Sequence, residues 1–298
     1  MISVVPCRHF SVVVDSSSPM TPFIFFRGAV GVVLLGLTGC GVYMPLLPPT
    51  PLLQRGQVEI SAAAAPFAGL ANLTTSPKPT GLWLPALEGN VAWAPARHLT
   101  LVFSGGTTYV GRLHRPATQY VRNRQWTASA GWHTAWTAQE GSWYVAVLAG
   151  IGRGNSALSK QEEDQDSGLF TTPGHRVSSY EASFRSQSIQ TYATRSAGSL
   201  SVTGTVRFTM LAFDEIRRRR RFNDTDLPAE FVPVVGVPTM YLEPAVSVRV
   251  GPHRCQALAG LGLAIPLQHP TQPPPTQLAP YQKLLLMASA GAVVRLGR

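Results

Sequence analysis

From Leu200 to Ala212 the side chains alternate without a break. Leu200, Val202, Gly204, Val206, Phe208, Met210 and Ala212 fall on one side; Ser201, Thr203, Thr205, Arg207 and Thr209 fall on the other. An extended strand sends successive side chains to opposite faces, so this segment is a strand with one apolar and one polar face. Few folds accept a thirteen-residue strand of this kind, because both faces need a suitable environment along their whole length.

The same period recurs along the chain. Trp126, Ala128, Ala130, Trp132 and Trp136 oppose Thr127, Ser129, Gly131 and His133. Trp143 to Ile151, Leu242 to Val250, Cys255 to Leu267 and Val58 to Ala64 follow suit. Ten strands are predicted near residues 57–66, 85–95, 98–109, 124–137, 142–153, 178–195, 199–213, 239–250, 254–267 and 282–296. The strand at 178–195 alternates imperfectly, which suggests a bulge near Ser186 to Ile189. Short turns near residues 95–97, 139–141, 196–198 and 251–253 alternate with long loops over 67–84, 110–123, 154–177, 214–238 and 268–281. The fold class is therefore all-β: an antiparallel up-and-down β-barrel of about ten strands over residues 56–298. Strict alternation of turns and loops is the habit of outer-membrane barrels.

In a membrane the apolar faces point outward and aromatics such as Trp93, Trp126, Trp136 and Trp143 gather at the interfaces. The polar faces then line a lumen carrying Glu59, Glu88, Glu181, Arg185, Arg207, Glu243 and Arg249. Mixed signs in a narrow lumen imply an ion-paired interior rather than an open pore, since an unpaired buried charge costs several kcal/mol. Period two alone does not distinguish this from a periplasmic barrel with its apolar faces inward around a small apolar ligand.

The N-terminus carries its own signal. Arg27 precedes an uncharged apolar run from Gly28 to Leu37, and Leu37-Thr38-Gly39-Cys40 follows. Small residues before a cysteine are what lipoprotein processing requires, and the run is short for a finished transmembrane helix, which needs ~20 residues. Residues 1–39 read as a lipoprotein signal peptide, with Met20 a second candidate start. Cys40 reads as the lipidated residue and 40–55, rich in Pro and Leu, as an extended tether. The expected location is the bacterial cell envelope, with the barrel in the outer membrane or on its periplasmic face and the lipidated end in the periplasm. Cys255 is then the remaining cysteine of the processed chain, which excludes an internal disulfide and a cysteine-based zinc site.

Cys40-Gly41-Val42-Tyr43-Met44-Pro45, then Leu52-Leu53 and Gly56-Gln57-Val58, resembles the start of a group of uncharacterised Bacteroidota lipoproteins. Gly150-Ile151-Gly152-Arg153-Gly154 and Leu242-Glu243-Pro244-Ala245 fit the same group, although Gln57 stands where an acidic residue is common. The resemblance implies an outer-membrane-like barrel and an envelope location, and it implies no activity.

Candidate chemistry is sparse. Arg217, Arg218, Arg219, Arg220 and Arg221 sit in the expected loop 214–238. Adjacent guanidiniums there would suit phosphates of lipopolysaccharide, or form a solvated loop tip. Glu162, Glu163, Asp164 and Asp166 offer carboxylates without the spacing of a calcium loop. His133 and Ser129 share a face but lie ~13 Å apart along a strand, too far for a Ser–His pair. No Gly-x-Ser-x-Gly, phosphate loop or His-Glu-x-x-His occurs. The expectation is a membrane barrel with a structural or surface-binding role, without cofactor or metal. The alternative is a hydrolase or lipid-modifying enzyme on the same scaffold. A net charge of +10 favours anionic lipid as partner over nucleic acid, which an envelope protein does not meet.

Overall fold

Alternating segments of this length satisfy their backbone only by pairing with one another, and here they pair in sequence order until the last meets the first. A computed structural model describes residues 46–65, 83–111, 120–138, 141–163, 175–219, 238–267 and 285–297. The proposed signal segment and Cys40 lie outside these residues. The strands are β1 (Val58–Ala65), β2 (Trp83–Ala96), β3 (Leu99–Gly111), β4 (Tyr120–Ala138), β5 (Gly141–Glu163), β6 (His175–Ala197), β7 (Leu200–Arg219), β8 (Thr239–Val250), β9 (Cys255–Leu267) and β10 (Leu285–Leu296). Every neighbour pair is antiparallel, and β1 closes onto β10 with Val58 opposite Leu296. The result is a closed ten-stranded barrel with no free edge.

The apolar faces point out. Val206 is 39% exposed and its neighbour Thr205 is 5% exposed; Ile151 reaches 62%. Trp93, Phe103, Trp126, Trp132 and Trp136 are likewise exposed, whereas Thr203, Glu243 and Arg249 are buried. This arrangement opposes the alternative of an inward-facing apolar cavity.

Strands β4 to β7 run well past the boundaries expected from alternation. Hydrophobic period two ends where both faces become polar, as at Asn155, Ser156 and Ser159, but the hydrogen-bonded ladder with β6 continues to Glu163 opposite His175. Two expectations change as a result. Arg217, Arg218 and Arg219 lie on β7, opposite Glu181, Tyr180 and Ser179, rather than in a loop. Glu162 and Glu163 end β5, while Asp164, Asp166, Arg220 and Arg221 lie outside the described residues.

The irregularity expected within β6 near Ser186 to Ile189 is instead a bulge on β7. Ser183 pairs with Glu215 and Phe184 with Phe213, leaving Asp214 as the extra residue. The bulge reverses the alternation, so Phe213 and Ile216 are both buried while Asp214, Glu215 and Arg217 face outward.

The β6–β7 turn depends on Gly198, whose φ of 58° is the left-handed region that glycine occupies most readily. Nothing lies within 4 Å of a Cβ built there, so Gly198→Ala isolates the conformational term. It should lower stability by about 1 kcal/mol in denaturant titration. Gly204→Ala, on the outer face of β7 and equally unobstructed, should be neutral or stabilising.

A candidate functional site in the filled lumen

The lumen is occupied by the chain itself. Residues Leu46 to Leu53 run inside the wall, where Leu46, Leu47, Thr50 and Leu53 are buried. The segment leaves near the short turns through a tight bend. There Gln57 N–H donates to the Gln54 carbonyl at 3.0 Å, and Gly56 N–H to that of Ala94 at 2.7 Å. The expected free tether is corrected for residues 46–53: this part is an internal plug.

Its composition explains why it tolerates burial. Pro48, Pro49 and Pro51 bring no N–H to satisfy. The remaining backbone groups meet side chains of matching polarity. Leu47 N–H donates to both Glu88 carboxylate oxygens at 3.3 and 3.2 Å, and Leu52 N–H to Glu59 Oε2 at 3.4 Å. Arg207 Nη2 donates to the Leu46 carbonyl at 2.6 Å, Gln190 Nε2 to that of Pro49 at 2.5 Å, and Tyr192 Oη to that of Pro51 at 2.7 Å. Arg249 Nη2 donates to the Thr50 carbonyl. Carboxylates thus face the donors of the plug, while guanidinium, amide and phenol groups face its carbonyls.

Space for the plug comes from inward-facing glycines. A Cβ at Gly106 would lie 2.4 Å from Leu46 Cδ2, and one at Gly260 2.2 Å from Leu47 Cδ2. Leu53 packs in a buried cluster with Ala94, Val102, Tyr144 and Tyr192.

Strand register builds the charge network. Arg207 and Glu243 stand directly opposite on β7 and β8, and their side chains pair inside the wall. Glu59 stands opposite Arg295, which reaches it at 3.1 Å, and Arg249 joins from β8 with Nη1 at 3.0 Å from both carboxylate oxygens. Among the described residues the inward charges are Glu59, Glu88 and Glu243 against Arg207, Arg249 and Arg295. They balance.

Glu181 and Arg185 do not join them. The inward face of β6 carries Phe184 and Tyr192, both buried, so the odd-numbered residues point outward. Phe184 packs edge-on against Phe213 at 5.8 Å. Arg185 is 64% exposed and pairs with Asp214 at 2.6 Å; Arg217 pairs with Glu215 outside the barrel. Conversely, Arg295, Gln190 and Tyr192 belong to the lumen and were not singled out from sequence. Position 295 was legible as the inward continuation of Val293.

His133 does not form a catalytic pair. Its Nδ1 lies 2.7 Å from Thr100 Oγ1 and its ring stacks on Tyr144 at 5.2 Å. Ser129 is four residues along the same inward face. Among the described residues no cluster of His, Cys, Asp and Glu suits a metal ion.

No protein-family model matches the chain, and no curated protein matches it in sequence. Among solved structures it is similar to the outer membrane protease OmpT from Escherichia coli, with 9% identity and a TM-score of 0.46, over 81% of this chain and 94% of that one. It is also similar to the translocator domain of the autotransporter NalP from Neisseria meningitidis, with 11% identity and a TM-score of 0.42, over 82% and 88%. The N-terminal β-barrel domain of Pseudomonas aeruginosa OprF shares 11% identity with a TM-score of 0.27, over 82% and 100%.

Removing one partner of a buried ion pair costs more than removing an exposed one. Glu59→Gln leaves Arg249 and Arg295 without their carboxylate and should destabilise the barrel by about 3–5 kcal/mol. Glu215→Gln, at an exposed pair, should cost about 0–1 kcal/mol. Denaturant unfolding of both variants in the same micelles gives the comparison.

Proposed function

We propose that this chain is an integral outer-membrane β-barrel whose pore is closed by its own N-terminal segment, with a structural or surface-binding role. The observation that carries this reading is the outward apolar band. On β4, Trp126 and Trp136 bracket Ala128, Ala130, Trp132 and Thr134, all facing out. Ten residues of strand span about 34 Å, or about 25 Å of bilayer at the usual barrel tilt, which is the height of a hydrocarbon band. Trp136 stacks on Trp143 at 6.4 Å near the short turns, and Phe103 on Trp126 at 6.1 Å toward the other end. Amphipathic rings at both borders suit the two interfaces.

The lipobox and the Cys-x-x-Tyr-x-Pro start support lipidation at Cys40 as a further part of this proposal, with lipopolysaccharide as the candidate partner outside. Leu46 is buried against the inner wall, and five residues separate it from Cys40 in the sequence. Cys40→Ala should abolish acyl labelling; labelling that persists refutes the anchor.

Two measurements test the rest. Val206→Arg puts a charge in the apolar band and should cost about 2–4 kcal/mol in bilayers, whereas Asn155→Arg, beyond the Trp126 border, should cost about 0–1 kcal/mol. Equal tolerance, or a protein that remains folded in water without detergent, refutes membrane insertion. In planar bilayers the intact protein should show no steady conductance, and deletion of Leu46 to Leu53 should open one. A conducting intact barrel refutes the plug.

A further inference from the structure

Toward the loop end, the outward positions of three adjacent strands become cationic. On β4, Ala128 and Trp126 give way to Arg124; on β5, Ile151 gives way to Arg153; on β6, Ile189 and Gln187 give way to Arg185. All three arginines are exposed. Register sets Arg153 between Trp126 on one side and Arg185 on the other. Arg124 is the next outward residue beyond Trp126. Like charges directly opposed across a sheet are destabilising. The β7 bulge presents Asp214 to Arg185, but among the described residues no carboxylate pairs with Arg124 or Arg153.

These side chains border a hollow of about 510 Å³ whose wall includes Arg124, Trp126, Arg153, Asn155 and Asp214. Below it on the same strands runs an apolar groove of about 950 Å³, lined in part by Phe103, Ala128, Ala149, Ile151 and Ile189. The stacked rings of Phe103 and Trp126 stand between the two.

We propose that this is a binding site for a phosphorylated glycolipid of the outer leaflet, with a phosphate between Arg124 and Arg153 and acyl chains along the groove beneath. The assignment rests on the membrane reading above and places the site lower on the barrel than the backbone of Arg217 to Arg219 on β7. A phosphate answers two unpaired guanidiniums, because each binds its oxygens in a bidentate fork. Free phosphate at an exposed site would gain little. A lipid adds the burial of its chains and arrives with its phosphate at the height of Trp126, a ring suited to the headgroup level.

The full chain, folded in micelles, is titrated with a bisphosphorylated acylated diglucosamine, with the same lipid lacking phosphates, and with inorganic phosphate. The Arg124→Gln/Arg153→Gln double variant should keep its heat-modifiable gel mobility and bind the phosphorylated lipid about tenfold more weakly. The dephosphorylated lipid should bind the unmodified protein no better than the phosphorylated lipid binds the variant, and equimolar inorganic phosphate should not compete. Unchanged binding by the double variant, equal binding of the dephosphorylated lipid, or full competition by inorganic phosphate would each overturn the site while leaving the barrel reading intact. A wild-type chain that never gives the heat-modifiable form would overturn both.

Discussion

The hydrogen bonds between the backbone of Leu46 to Leu53 and the inner wall are what the rest of the structure depends on. A closed barrel satisfies the backbone of its own strands, but it leaves every inward polar side chain in search of a partner. Here six of those side chains find peptide groups of the same chain. Glu88 and Glu59 take the N–H groups of Leu47 and Leu52; Arg207, Gln190, Arg249 and Tyr192 take four carbonyls. Each side satisfies the other: without the plug these side chains lose their partners, and without them the plug would bury peptide groups unpaired, at about 1–3 kcal/mol each. The three prolines reduce that liability by removing donors from a stretch of backbone that has no strand to pair with.

The outward face was legible because each apolar strand face is continuous, as on β7 from Leu200 to Met210. The inward position of Glu59, Glu88, Arg207, Glu243 and Arg249 follows from the same alternation. It misled at β6, where Phe184 and Tyr192 point inward for separate reasons. One meets Phe213 and the other meets the plug. Their apolar rings made the odd-numbered face look like the polar one, and Glu181 and Arg185 went with it. Strand ends were illegible for a different reason. Above the apolar band the outward positions of β5 and β6 turn polar, as at Asn155 and Glu181, so pairing continues without the alternation that marks it below.

The plug could not be read from sequence. A Pro- and Leu-rich stretch has no period, and its partners lie far away along the chain: Pro49 meets Gln190, and Thr50 meets Arg249. The same composition describes a free spacer and a lumen filler. What decides between them is the set of inward donors and acceptors, which come together only when ten strands close. Balanced charge in the lumen is a visible hint in retrospect, but the strand pattern alone left Arg295 out of the sum.

Closure of the lumen also decides where the molecule can meet other molecules. Inside, among the described residues, Glu243 pairs with Arg207, Glu59 pairs with Arg249 and Arg295, and Glu88 accepts from the plug backbone. Outside, the apolar band offers contact without direction. Among the described residues Arg124 and Arg153 stand at its border without a carboxylate partner, one outward step beyond Trp126 and Ile151. An arginine at that height gains from a phosphate in the headgroup layer and would lose by moving inward past Trp126. On the membrane reading proposed above, the row sets how deep the barrel sits and adds a directional contact to the outer face beside the Arg185–Asp214 pair.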